Sequence, residues 1–293
     1  MVMKVFLDLK SLVWAVATLT VISMLTSCAS TNLQSQRTKS ANLAIKAGWI
    51  RTALDAGNFS LIGFTPANAN PSDVLTVYIE GDGLAWIDSS TPSFDPTPLN
   101  PVALRLALRD PNTAVAYLAR PCQYTAENER KNCNSRYWTS HRFAPEVIEA
   151  TNLAVDQLMA HQGAKLVRLI GYSGGGAVAA LVAARRHDVD MLITVAGNLD
   201  PALWTKTQAI SPMSESLNPA DYWKELQDIP QQHYVGSHDT NIDASITTSY
   251  ISRFHDALPS MTVMPSFTHD CCWEQVWPTL VNQYFGLPTL AIH

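Results

Sequence analysis

Residues 165–186, KLVRLIGYSGGGAVAALVAARR, decide the fold that the sequence predicts. The apolar, β-branched run at the start is typical of a buried strand, and the alanine-rich run after Ser173 is typical of a helix. Between them lies GYSGG, which satisfies G-x-S-x-G, a sharp strand-to-helix turn that exposes a serine hydroxyl. Because the two backbones approach closely in such a turn, side chains at Gly171 and Gly175 would collide. The stretch therefore predicts a nucleophile elbow with Ser173 at its corner.

The predicted helix would also point its N-terminus at Ser173. Its first amides and the positive end of its dipole would lie where negative charge develops if the serine attacks a carbonyl group. The same five residues also fit an ordinary glycine-rich turn with a serine helix cap. The motif alone therefore assigns no reaction, and the rest of the chain has to supply the other groups.

The N-terminal residues have the features of an export signal rather than of a folded segment. Lys4 and Lys10 give a basic start, residues 11–26 are mainly apolar and short for a bilayer span, and Leu-Thr-Ser precedes Cys28. This ending resembles the lipobox of bacterial lipoproteins, in which the signal peptide is cleaved before a lipid-modified cysteine. The resemblance implies a signal peptide at residues 1–27 and a durable lipid anchor at Cys28. A buried N-terminal helix and an ordinary secretory signal are the alternatives.

Residues 28–39 are predicted to form a lipidated polar tether to a single domain over residues 40–293. Ala29 follows the cysteine, at a position where aspartate in Gram-negative lipoproteins tends to mean retention in the inner membrane. The resemblance therefore implies an exported protein, lipid-anchored in the outer membrane of a bacterial cell envelope. A periplasmic orientation is expected, and a surface-facing one stays open.

The composition limits the classes of partner. The full chain has a formal net charge of −5 and no cluster of lysine and arginine, so nucleic acid is not an expected partner. The domain is long enough to bury a sizeable α/β core, and the sequence shows no internal repeat and no second domain. It leaves the oligomeric state open.

Four cysteines follow the lipobox, and an even number in an exported chain predicts disulfides. We favour Cys122 with Cys133, since this pair would close a polar loop that has no apolar residues to hold it. Cys271 and Cys272 could then form a vicinal bridge or pair with the other two, and the sequence does not choose between these arrangements.

Strand and helix patterns alternate over the whole domain. This alternation predicts an α/β fold with a mostly parallel central sheet covered by helices on both faces. Besides the elbow strand and helix, the predicted strands are 59–64, 74–79, 114–118, 191–195, 233–236 and 261–264, and the predicted helices are 41–56, 100–109, 144–161, 220–226, 244–254 and 270–285.

Candidate partners for Ser173 follow two later strands, at the edge where a parallel sheet places its functional groups. Asp239 follows the strand HYVG, and His269 follows the strand MTVM. The order Ser, Asp, His resembles that of the α/β-hydrolase family, and the resemblance covers nearly all of residues 40–290. It implies that Ser173 is the nucleophile, His269 the general base and acid, and Asp239 the residue that orients the imidazole. Asp200 is the reserve acid, since Asp239 could instead cap the helix that follows it.

An early loop supplies a candidate oxyanion hole. Residues 80–83, EGDG, follow the second predicted strand, where the family often has His-Gly-x. The resemblance implies that the backbone N–H groups of Asp82 and Gly174 would bind the oxyanion. Glu80 stands where the family often has histidine, and the carboxylate of Asp82 would oppose an oxyanion unless its side chain turns away. Longer segments, among them YLARPCQY and HDCCW, resemble a group of proteobacterial hydrolase-like lipoproteins.

Three other functions compete with ester hydrolysis. The run GGGAVA also satisfies the dinucleotide fingerprint G-x-G-x-x-G/A, although such fingerprints usually begin a domain. A lipoprotein that keeps the fold only for binding is the second. Residues 269–272, HDCC, could hold a metal ion, but adjacent cysteines in an oxidising compartment favour disulfides. The prediction is therefore a membrane-anchored serine hydrolase of carboxylesterase type, without cofactor or metal, that acts on a small-molecule or lipid-like ester.

Overall fold

The computed structural model describes residues 38–285. The predicted signal peptide, the lipidation site at Cys28 and the tether up to residue 37 lie outside the described residues. Residues 38 and 39, which the prediction places in the tether, are helical together with residues 40–46, and this described helical segment is named α1. Between residues 38 and 285, no helix is long and apolar enough to cross a membrane.

An eight-stranded mixed sheet forms the centre of the described chain, in the order β1-β2-β4-β3-β5-β6-β7-β8. β1 and β2 pair antiparallel, as do β2 and β4, and all other neighbours are parallel. The prediction of a mostly parallel sheet is confirmed. The strands are β1 (Trp49–Ala56), β2 (Phe59–Pro66), β3 (Val74–Ile79), β4 (Val115–Leu118), β5 (Leu166–Tyr172), β6 (Val189–Val195), β7 (Gln231–Gly236) and β8 (Ser260–Met264).

Helices cover both faces of this sheet. After α1 come α2 (Val102–Leu108), α3 (Pro145–Gln162), α4 (Gly174–Ala183), α5 (Pro201–Thr207), α6 (Trp223–Leu226), α7 (Ala244–Ile251) and α8 (Trp273–Phe285). Short 3-10 turns occupy Glu127–Glu129, Ser135–Trp138 and Pro219–Tyr222.

The alternation of side chains along each strand divides the core into two layers. In β3, Leu75 and Val77 pack into the cluster formed with α3 and α4, whereas Tyr78 packs into the cluster formed with α2 and α8. Tyr78 accepts a hydrogen bond of 2.8 Å from the indole of Trp277 in α8. The parallel strands are thus buried on both sides, as their continuous apolar sequences predict.

The predicted helix over residues 41–56 is wrong in its second half. Helix α1 ends at residue 46, and Gly48, with a positive φ of 78°, turns the chain into β1. Ile50 and Leu54 have helical spacing, yet Leu54 is buried while Ile50 is 54 % exposed. Backbone pairing with β2 along the whole of β1 outweighs this local periodicity, because strand preference is set by tertiary context.

Helix α2 is capped from another element. Pro101 occupies its N-cap position, without a side-chain cap from its own segment. Instead, the buried carboxylate of Glu80, directly after β3, accepts hydrogen bonds from the amides of Ala103 (3.3 Å) and Leu104 (3.4 Å) and from the hydroxyl of Tyr117 (3.1 Å). These donors stabilise a charge at the positive end of a helix. Burial nevertheless outweighs them and raises the pKa of Glu80 to about 7.

We predict that Glu80 makes the protein less stable as the pH rises from 4.5 to 7. A carboxyl group with a raised pKa in the folded state favours folding below its ordinary pKa of 4.5, and this contribution is lost as the pH approaches 7. Glu80→Gln does not ionise, so the free energy of unfolding of the wild type, relative to that variant, should fall over this interval. Urea unfolding at pH 4.5, 5.5 and 7 measures the difference, and parallel pH profiles for the two proteins would contradict the prediction.

Candidate active site

Ser173 lies at the corner between β5 and α4. Its backbone has φ 53° and ψ −123°, a conformation that residues with a side chain adopt only under constraint. A neighbouring strand supplies part of the constraint, since the Ser173 amide donates to the carbonyl of Val195 at 3.0 Å. The Ser173 carbonyl in turn accepts from the amides of Gly176 at 2.9 Å and Asn198 at 3.0 Å. The end of β6 and the loop after it therefore hold the serine in its corner.

Two glycines allow the corner to form. A Cβ atom on Gly171 would lie 2.2 Å from the carbonyl oxygen of Gly175, and one on Gly175 would lie 2.3 Å from the carbonyl oxygen of Ile79. Both distances are far inside van der Waals contact. Any side chain at these two positions would therefore push β5, α4 and β3 apart.

His269 joins the serine to a carboxylate. It lies in the loop between β8 and α8, and its Nε2 atom is 3.0 Å from Oγ of Ser173. Its Nδ1 atom is 2.8 Å from Oδ2 of Asp239, which follows β7. A carboxylate only accepts, so Nδ1 carries the proton of the neutral ring and Nε2 accepts from the serine hydroxyl. The three residues, 30 and 96 positions apart in sequence, form one hydrogen-bonded chain.

The carboxylate of Asp239 is held from its other side as well. Its Oδ1 accepts from the amides of Asn241 and Ile242, each at 2.9 Å. The Asp239 side chain is fully buried, whereas 19 % of the His269 side chain is exposed. Asp239 is thus fixed in place and shielded from water, whereas the imidazole of His269 is partly accessible to solvent.

Asp200, the alternative acid, is used elsewhere. Its Oδ1 accepts from the amide of Leu203 (3.1 Å) at the start of α5 and from the side chain of Asn218 (3.2 Å). Its Oδ2 accepts from the hydroxyl of Ser249 at 2.6 Å. Asp200 is therefore a helix cap. Three other histidines of the described chain, His161, His238 and His255, are exposed and make no hydrogen bond to Ser173 or Asp239.

Sequence reasoning missed the groups that hold the histidine loop. The hydroxyl of Tyr172, the variable residue inside GYSGG, donates to Asp270 at 2.6 Å, and its ring centroid lies 5.3 Å from that of His269. Burial raises the pKa of Tyr172 well above its usual range, so it remains a donor. The indole of Trp273 donates to the carbonyl of His269 at 2.9 Å. Neither role has a sequence pattern of its own.

The four cysteines of the described chain form two disulfides, each between cysteines that are consecutive along the sequence. Cys122 and Cys133, whose Cα atoms are 5.6 Å apart, form the predicted loop-closing disulfide. Cys271 and Cys272 are joined to each other, across a cis peptide bond, so neither offers a free thiolate beside His269. Over residues 38–285, no group of three or more His, Cys, Asp and Glu side chains could hold a metal ion.

The loop after β3 lies directly against the serine. A Cβ atom on Gly81 would lie 3.4 Å from Cβ of Ser173. Within the described part of the chain, the amides of Asp82 and Gly174 donate to no acceptor. The first amides of a helix have no partner inside the helix, which accounts for Gly174. Both amides belong to residues that follow this corner or its neighbour Gly81 directly, and an oxyanion hole would require two such donors.

The side chain of Asp82 does not turn away from this place. A Cβ atom on Gly174 would lie 2.2 Å from Oδ1 of Asp82, so the carboxylate packs against the Cα of Gly174. Two guanidinium groups neutralise it: Nη1 of Arg142 lies 2.6 Å from Oδ2, and Nη1 of Arg120 lies 3.3 Å from Oδ1. Burial lowers the pKa of Arg120 to about 10, which leaves it charged at neutral pH. The sequence gives no sign of these ion pairs beyond the position of Arg120 just after a strand.

A cavity of about 960 Å³ opens above the serine and the imidazole. Its walls come from the loops after β3 and β6, from residues 139–142 and from the segment before α6. Arg142 and Asn198 contribute polar groups to it. The apolar part of the lining includes Trp86, Leu99, Trp204, Ile210, Met213 and Ile242.

The glycines that spell a dinucleotide fingerprint are occupied by packing. A Cβ atom on Gly176 would lie 2.7 Å from the Cα of Gly197, and the Asp82 carboxylate fills the space next to Gly174. A pyrophosphate would have to occupy that space, and the carboxylate would repel its negative charge. The elbow geometry thus accounts for these glycines without a cofactor.

Solved structures share this architecture. An esterase from Pyrococcus furiosus matches with a TM-score of 0.56 at 12 % identity, over 81 % of this chain and 90 % of that one. A putative dienelactone hydrolase from Klebsiella pneumoniae matches with a TM-score of 0.54 at 16 % identity, over 81 % and 95 %. An α/β serine hydrolase without lid from Xanthomonas campestris matches with a TM-score of 0.53 at 12 % identity, over 82 % and 96 %.

No family model matches the sequence, and no curated protein matches it. Identities of this size indicate a shared fold and leave the function to be argued from the site. The chain has the α/β-hydrolase fold.

Proposed function

We propose that this protein is a serine hydrolase of carboxylesterase type. The observation that carries the proposal is the hydrogen-bonded chain from Ser173 Oγ through the ring of His269 to Asp239, with contacts of 3.0 and 2.8 Å. Nucleophile, base and orienting acid are within the reach that proton transfer requires. The solved structures of similar fold include an esterase, which supports ester bonds as the target.

The proposed reaction begins at Ser173. His269 Nε2 takes the hydroxyl proton as Oγ attacks the ester carbonyl, and the N–H groups of Asp82 and Gly174 bind the resulting oxyanion. The buried carboxylate of Asp239 stabilises the imidazolium, which then gives its proton to the departing alcohol. Water attacks the acyl-serine with His269 again as the base, and the acid leaves as the serine regains its proton.

The cavity supports a small-molecule or lipid-like ester as substrate. Apolar side chains such as Trp86, Leu99 and Ile210 form much of the wall above Ser173, and 960 Å³ lies near the upper end of the size of ligand pockets. An apolar acyl or alkyl group would bury its surface there while its carbonyl group reaches the serine.

We predict that a fluorophosphonate probe labels the wild-type protein at Ser173 and leaves Ser173→Ala unlabelled. The probe reacts only with a serine whose hydroxyl is activated by a neighbouring base. Ser252→Ala is the control, since Ser252 is exposed after α7 and its hydroxyl donates to the carbonyl of Ser249. It should be labelled like the wild type in a gel-based assay. An unlabelled wild type would indicate a protein that keeps the fold only for binding, and a labelled Ser173→Ala would move the nucleophile elsewhere.

We further propose that the hydrolase is lipid-anchored through Cys28 in the outer membrane and faces the periplasm. The support is the sequence alone: two lysines, an apolar run and Leu-Thr-Ser before the cysteine, with Ala29 after it. Several acyl chains hold a protein to a bilayer, whereas one holds it only marginally.

The anchor is tested with the full chain in a Gram-negative host fed labelled palmitate. The wild type should carry the label and sediment with outer membranes, Cys28→Ser should carry none, and Ala29→Asp should shift the label to inner membranes. Label on Cys28→Ser, or an unlabelled wild type in the soluble fraction, would contradict the anchor. Equal distribution of the wild type and Ala29→Asp would contradict the outer-membrane address.

A further inference from the structure

The charged cluster beside the serine consists of Asp82, Arg120 and Arg142. All three side chains are largely buried, with 18 %, 5 % and 9 % of their surface exposed. Asp82 contributes one of the two proposed oxyanion donors, and its carboxylate packs against the residue that contributes the other, Gly174. The cluster is thus in contact with both halves of the oxyanion hole.

An unpaired carboxylate in this place would act against catalysis. Negative charge develops on the substrate oxygen next to it, and like charges repel strongly where water is excluded. Here two guanidinium groups contact the carboxylate of Asp82 and compensate its charge. Glu80, the other carboxylate at this edge, also interacts with Arg120 but directs its oxygens to the amides at the start of α2.

Both arginines are themselves held in place. Arg142 donates through Nε to the carbonyl of Thr139 at 2.8 Å, and its guanidinium lies 5.7 Å from the ring centre of Trp204. Arg120 donates to the carbonyl of Arg142, and its guanidinium lies 5.5 Å from the ring centre of Phe143. A guanidinium bound at several nitrogens fixes its partner's orientation as well as its charge.

The loop that carries Asp82 is braced by the same segment. The side chain of Gln123 donates to the carbonyl of Gly81 at 3.0 Å and accepts from the amide of Arg120 at 3.0 Å. Residues 120–123 therefore fix both the backbone and the side chain of the oxyanion loop.

From these contacts we infer that Arg120 and Arg142 are positioning residues for the oxyanion hole, holding the Asp82 loop against Gly174 and cancelling the Asp82 charge. The inference rests on the proposed function, because it assigns a role in the same reaction. In this role the arginines stabilise the transition state and do not contribute to substrate binding. Their loss should therefore lower kcat and leave KM nearly unchanged.

The test compares Arg142→Met with Arg186→Met. Arg186 is a matched control, since its side chain is 7 % exposed and it pairs with Asp156 and Asp188 just beyond the far end of α4. With an ester substrate, Arg142→Met should lower kcat about 100-fold, the range seen when an oxyanion donor is lost, and change KM less than about threefold. Its affinity for a boronic acid that mimics the tetrahedral intermediate should fall in parallel. Arg186→Met should keep the wild-type kcat.

A second variant separates charge from loss of structure. Adding Asp82→Asn to Arg142→Met removes the uncompensated carboxylate, so kcat should recover about tenfold from the single variant. Arg142→Lys keeps the charge and should fall between the wild type and Arg142→Met. Thermal unfolding of every variant shows whether the chain folds, and if Arg142→Met does not fold, the reduced kcat of Arg142→Lys at unchanged KM decides the question.

Each contrary result has a distinct meaning. An active wild type with an unchanged kcat in Arg142→Met, a rise in KM alone, or no recovery in the double variant would overturn the inference and leave the proposed function standing. A wild type that neither turns over esters nor reacts with the fluorophosphonate would overturn the proposed function and this inference with it.

Discussion

Two hydrogen bonds to one imidazole ring hold the candidate active site together. The ring of His269 joins the end of β5, through Ser173, to the end of β7, through Asp239. These strands and β8 are parallel neighbours or near neighbours in one sheet, so their carboxyl ends meet at one edge. The sheet therefore brings together groups that are 30 and 96 residues apart in sequence.

Several charged side chains are buried close together at this edge of the sheet, which is unfavourable unless each charge is compensated. Glu80 and Asp82 lie on one short loop, and each is compensated by a different means: helix amides for the first, two arginines for the second. Unpaired, either carboxylate would be costly inside the protein and would oppose an oxyanion. In the proposed reaction the loop offers backbone N–H groups while the arginines offset the charge of Asp82; the amides offset that of Glu80 only in part, since burial still raises the pKa of Glu80 to about 7. The proposed acyl transfer would need this charge compensation beside the oxyanion as well as the imidazole that serves as base.

Much of the fold could be predicted because its signals are local. Apolar β-branched runs, glycine at the elbow and the alternation of strands with helices predict seven of the eight strands in the described chain. For the eighth, β1, the sequence predicts helix because Ile50 and Leu54 have helical spacing, and only the pairing with β2 reveals a strand. The chain order Ser, Asp, His singled out three residues that the structure brings together.

What the sequence could not predict depends on contacts between distant segments. The choice between Asp239 and Asp200 follows from where each carboxylate points, and spacing does not encode that direction. The arginine partners of Asp82 come from two other loops without a motif. The sequence leaves the pairing of Cys271 open for the same reason: four cysteines allow three arrangements, and only the folded chain selects the bridge to Cys272.

The most direct measurement of the central claim compares kcat/KM for ester hydrolysis in Asp239→Asn and Asp200→Asn. The two aspartates are both buried and both helix-proximal, but only Asp239 contacts the imidazole. The account predicts that Asp239→Asn lowers kcat/KM by about 10³- to 10⁴-fold, since the ring loses its tautomer and its charge partner, while Asp200→Asn stays within about threefold of wild type. Equal losses in the two variants, or a larger loss in Asp200→Asn, would contradict it.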